Sequence, residues 1–131
     1  MTVDWRAVVA GARLAVFVAA AAIVLGQAIR SLTGTSAALP LYLVLLGGLA
    51  AGGRAAARRQ PSSPLTHGAL AALTAYIVLI AVIIVVDLLL DREVADPVLL
   101  VFHALMSASA GIFGGYLAAR RPQKSSASEE Q

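Results

Sequence analysis

The sequence predicts an all-α, polytopic membrane protein: four transmembrane helices packed into a bundle through glycine and alanine. Three observations predict it. First, 60% of the 131 residues are apolar and 13% are charged, against roughly half and a quarter in a soluble domain. The mean hydropathy is +0.85. Second, the apolar residues fall into four runs separated by short polar turns, each close to the ~20 residues that a helix needs to cross the hydrocarbon. Third, the basic residues gather at alternate ends of those runs, as the positive-inside rule requires.

The first run is uncharged from Leu14 to Ile29 and reaches spanning length when counted from Val8, giving a helix over about 8–29. A short basic start before an apolar run also fits a secretory signal peptide, but a signal h-region typically has only about 7 to 15 residues. Trp5 suits an interfacial anchor, and Arg13 can snorkel to the headgroups. Residues 30–39, RSLTGTSAAL, read as a polar loop. Pro40 suits a first helical turn, where its missing N–H costs no intrahelical bond. The second helix, about 40–57, carries Gly48 and Gly52 as a Gly-x-x-x-Gly pair that lets another backbone approach closely. Arg54 is expected to snorkel from its last turns.

Residues 58–64, RRQPSSP, form a basic turn in which Ser63 is a candidate cap and Pro64 a first helical residue. The third helix, about 65–90, holds the most apolar run, Tyr76 to Val86. At 1.5 Å per residue it extends about 39 Å, longer than the hydrocarbon is thick, so it must tilt or protrude. An acidic turn follows, with Asp96 as cap and Pro97 opening a fourth helix over 97–119. Ser107, Gly111 and Gly115 mark the packing face of that helix. The segment 122–131, PQKSSASEEQ, is polar and low in complexity, the composition of a disordered tail.

The chain is organised around residues 47–59, GGLAAGGRAAARR. Residues 114–121, GGYLAARR, repeat its second half when Gly52 is aligned with Gly114. The echo fits a duplicated hairpin whose halves are related by an axis along the membrane normal. Either way, Arg58, Arg59, Arg120 and Arg121 anchor two helix ends on one side. That side, with both termini, carries eight of the ten Lys and Arg, whereas Asp87, Asp91, Glu93 and Asp96 gather at the other. A multi-pass protein of a bacterial cell membrane with both termini cytoplasmic is expected.

Ionisable and polar groups inside a span are functional candidates, because lipid offers them no partner. Gln27, Asp87 and His103 fall at similar depths in the outer half, and an Asp87–His103 pair with Gln27 nearby would suit proton or cation passage. The alternative for Asp87 is simple exposure at the outer interface, and for His103 a hydrogen bond to a neighbouring helix. His67, in the first turn of helix three beside the basic turn, is expected to be solvated.

No catalytic signature is present: no paired carboxylates, no metal spacing, no nucleophile elbow and no phosphate loop. The absence of cysteine excludes disulfides and thiolate sites. No cofactor is implied. The pI near 10 reflects topology rather than nucleic-acid binding, because the cations cap helices instead of forming a soluble basic patch. The expected partners are the bilayer with its anionic headgroups, and either further copies of the chain or another membrane protein. The function that fits is a structural or accessory, non-enzymatic role. The alternative is a subunit of an oligomeric transporter or channel using the outer polar residues.

One resemblance rests on the central block. GGLAAGGRAAARR followed by a short turn and LTHGALAALTAY resembles the YrzE-like family of small four-helix bacterial membrane proteins, the matching positions being Gly47, Gly48, Arg54, Leu65, His67 and Gly68. The turn rich in arginine, alanine and proline and the acidic outer loop depart from that pattern. The family has no assigned activity, so the resemblance implies the architecture and draws attention to His67 and Gly68 without supplying a mechanism.

Overall fold

The computed structural model describes residues 3–35, 38–93 and 95–120. Among them the regular structure is four α-helices: α1 (Trp5–Thr33), α2 (Ala38–Arg59), α3 (Pro64–Leu89) and α4 (Pro97–Ala119). All four are long and apolar enough to cross a membrane. With 29, 22, 26 and 23 residues, they extend between about 33 and 43 Å. The expected tail at 122–131 and the anchor Arg121 lie outside the described residues.

Helix ends follow local chemistry. Asp4 caps α1, its Oδ1 accepting from the backbone N–H of Arg6 at 2.9 Å and of Ala7 at 3.3 Å. The helix therefore starts three residues before the expected Val8. It also runs on to Thr33, where Gly34 closes it in the left-handed conformation (φ 66°), so Arg30 belongs to its last turn and not to a loop. α2 begins at Ala38, which moves Pro40 to the third helical position, still within the turn whose N–H groups lack intrahelical acceptors. α3 ends in a Schellman closure: Arg92 N–H donates to Asp87 O at 2.8 Å and Asp91 N–H to Leu88 O at 3.4 Å. Asp91 takes the left-handed position (φ 50°) usually given to glycine. Asp96 caps α4 as expected, its Oδ1 accepting from Val98 N–H at 2.7 Å with Pro97 next.

Packing is a rhomb with α2 and α3 on the short diagonal. α1 touches α2 and α3, α4 touches α2 and α3, and α1 and α4 do not meet. A two-fold exchanging the hairpins would pair α1 with α4 as α2 pairs with α3, so the packing does not follow the duplicated-hairpin symmetry that the Gly-Gly/Arg-Arg echo suggests. α1–α2 and α3–α4 are antiparallel, and α2 and α4 run the same way. The start of α1, the α2–α3 turn and the end of α4 consequently share one end of the bundle, here the base. The end of α3 and the start of α4 lie at the opposite end, the mouth.

The two ends are built differently. At the base the buried residues are nearly all small: Ala7, Ala12, Ala15, Ala56, Ala57, Ala71, Ala72 and Ala75. Helix backbones touch there. A Cβ placed on Gly53 would lie 2.6 Å from Gly111 O, and one on Gly52 2.6 Å from Gly11 O. The expected packing residues sit in these seams: Gly48 and Gly52 of α2 face α1, while Gly111 and Gly115 of α4 face α3. Ser107 is buried, its Oγ returned to His103 O at 2.7 Å. Lipid tails are as apolar as leucine, so helices gain by close van der Waals contact rather than by hiding apolar surface. The large apolar side chains, among them Phe17, Leu32, Ile77, Val85 and Leu105, accordingly point outwards.

Candidate functional site

Two groups of polar side chains stand out, one at each end. At the base, His67 is 1% exposed and is one of the largest fully buried side chains, which corrects the expectation of a solvated ring. Its Nε2 accepts the backbone N–H of Asp4 at 3.0 Å. Since Nε2 carries the lone pair, Nδ1 carries the hydrogen, and it lies 2.9 Å from both the carbonyl oxygen and the hydroxyl of Ser63. The Ser63 hydroxyl is thereby engaged with the ring and makes no capping bond to α3. One imidazole thus joins the residue that starts α1 to the residue that starts α3. Gly68, beside it, lets Gly111 of α4 approach to backbone contact. Position in a first turn suggested exposure, but α1 begins early enough to lay Asp4 over the ring.

The three residues expected to form a polar site at the mouth are not brought together. Gln27 is exposed. The buried stripe of α1 runs through Ala12, Ala15, Ala19 and Ala22, and Gln27, five residues past Ala22, is turned about 140° away from it. Asp87 is half-buried. Its carbonyl closes α3, and its carboxylate makes no hydrogen bond or ion pair among the described residues. His103 Nδ1 lies 2.8 Å from Leu99 O, one turn back in its own helix. Its ring meets Tyr42 and Phe102 edge-on at 5.9 and 5.7 Å. No polar contact joins it to Asp87 or Gln27. Asp87→Asn is therefore expected to shift the unfolding free energy by no more than about 0.5 kcal/mol, as measured by detergent titration. A larger loss would mean that the charge has a partner.

Around His103 the structure forms a cavity of ≈320 Å³ lined by all four helices, including Ile23, Tyr42, Leu45, Leu79, Ile80 and His103. Tyr76, also in its wall, donates its hydroxyl to Leu100 O at 2.7 Å and so ties α3 to α4. Tyr42 carries no expectation from the sequence, whereas Tyr76 falls on the same face of helix three as Asp87 by helical spacing. The available signal was a phenol inside each of two apolar runs. Among the described residues no three His, Asp or Glu side chains come close enough to hold a metal ion.

At the base, Arg58 and Arg59 end α2, and Arg120 lies 4.4 Å over the Tyr116 ring in a cation–π contact. Arg54 is half-buried, and its Nε is buried without a hydrogen-bond partner. Comparison with protein-family models, with curated proteins and with solved structures finds no match.

Proposed function

We propose that the protein is a small integral membrane protein with a structural or accessory, non-enzymatic role, exerted by lateral association with a second membrane-spanning chain. The observation that carries this is the lipid-facing side of α2. Gly47 is exposed, and a Cβ on it would meet nothing within 4 Å. Ala51 is exposed one turn further on. The bundle uses Gly48, Gly52 and Gly53 internally, so Gly47-x-x-x-Ala51 is a second small-residue face that the bundle itself leaves uncovered. Such faces let transmembrane backbones approach. The basic base and acidic mouth support cytoplasmic termini in a cell membrane. The block containing His67 and Gly68 supports membership of the YrzE-like family. The separation of Asp87, His103 and Gln27 gives an ion pathway no support.

Because the chain has no cysteine, Ala51→Cys provides a unique reporter. Oxidative or short bifunctional cross-linking in native membranes is expected to yield a discrete larger species, either a dimer or a complex with another protein. Val85→Cys, on the exposed side of α3, is expected to stay monomeric. Recovery of Ala51→Cys only as monomer would overturn the reading.

A further inference from the structure

We infer that the cavity at the mouth is a binding site for a hydroxyl-bearing, membrane-dissolved amphiphile, with the ligand hydroxyl donating to His103 Nε2. The volume of ≈320 Å³ falls within the range of about 300 to 1,000 Å³ typical of small-molecule sites. The walls are leucine and isoleucine from every helix, Leu45, Leu79, Ile80 and Ile83 among them, so an apolar body is favoured.

The polar groups of the wall then select the head. Tyr76 is satisfied by Leu100 O and Ser107 by His103 O, so neither requires a ligand. His103 is different. A backbone carbonyl only accepts, so the 2.8 Å contact to Leu99 O places the hydrogen on Nδ1. Nε2 is left as an acceptor, and it has no protein partner. The ring of Tyr42 stands edge-on to His103 at 5.9 Å and 72°, and its hydroxyl also has no hydrogen bond among the described residues. A ligand hydroxyl suits both groups, since it donates to Nε2 and accepts from the phenol. An ether or ketone suits only the phenol. A carboxylate would enter a wall that holds no cation, and a metal cation one that holds no carboxylate.

The experiment uses the full chain in lipid nanodiscs with diazirine-bearing probes: a prenol, its methyl ether, and an alkyl hydroquinone in a separate arm. The labelled peptides are read by mass spectrometry. The prenol is expected to label residues of the cavity wall with an apparent affinity roughly tenfold above the ether, the worth of one buried hydrogen bond. The hydroquinone arm tells which type of hydroxyl is preferred. His103→Phe is expected to bring prenol and ether within twofold of each other while both still label the wall. Leu79→Trp, which fills the cavity, is expected to reduce labelling by both. Equal labelling of the wild-type chain by prenol and ether, or labels confined to the lipid-facing sides of the helices, would overturn the proposal and leave the cavity to water or an acyl chain. The wild-type comparison decides the matter even where a variant fails to fold.

Discussion

Gly111→Leu is expected to destabilise the bundle by about 3 kcal/mol or more, the upper end of the cost of overpacking. A Cβ at this position would run into Gly68 O and would lie 2.6 Å from the Cβ of Ala72. The carbonyl of Gly111 in turn lies where a Cβ on Gly53 or Gly68 would stand. Three helices, α2, α3 and α4, meet at this residue through backbone atoms, which have no rotamers with which to move aside. The strain must therefore be relieved by separating helices, at the loss of many small dispersion contacts. Unfolding free energy from an SDS titration in mixed micelles, followed by far-UV circular dichroism, measures the effect. Gly47→Leu is the matched control. It changes the same residue type on a spanning helix, meets nothing within 4 Å in the single bundle, and in mixed micelles that hold the chain as a monomer is expected to shift stability by no more than the helix-propensity difference of about 1 kcal/mol, in the stabilising direction. Equal losses at the two positions would show that glycine content as such, rather than backbone contact, governs stability.

His67→Ala is expected to cost about 3 kcal/mol or more. The part-buried Asp4 N–H loses its acceptor at the start of α1, which costs about 1 kcal/mol, at the low end for a donor left unpaired. The vacated ring volume adds the larger, cavity term. His67→Gln, which restores an acceptor and part of the volume, is expected to recover part of the loss. The defect should also be local before it is global. Trp5, the sole tryptophan of the chain, follows Asp4 directly, so its emission should shift in His67→Ala at denaturant concentrations that leave the helicity of α2–α4 intact. Amide exchange at Asp4 and Arg6 should accelerate in parallel. A cooperative loss with no early change at Trp5 would show that His67 supports the whole core rather than this junction.

The four helices were legible because membrane spans are set by apolar length and flanking charge, both local properties. Helix ends were legible where proline and a cap coincide, as at Asp96-Pro97. They were less so where the cap lies in a segment read as flanking, as at Asp4 and Gly34. The packing faces of α2 and α4 were legible from small residues at helical spacing, since little else brings backbones together in lipid. What escaped was the polar inventory. Whether His67 is wet or buried depends on where α1 begins, and whether Gln27 faces the bundle depends on the phase of α1 about its axis. Neither is fixed by the residues nearby. The cavity escaped for a different reason: its wall takes residues from all four helices, so no single helix encodes it.

The cavity has a consequence for where the bundle can yield. At the base, glycine and alanine hold backbone against backbone, and a helix there cannot shift without opening a gap. Around the cavity the contacts are made by leucine and isoleucine side chains, which can change rotamer and follow a moving helix. Compressibility is therefore concentrated at one end of the molecule, so pressure or a tightly held guest is absorbed there while the other end stays rigid.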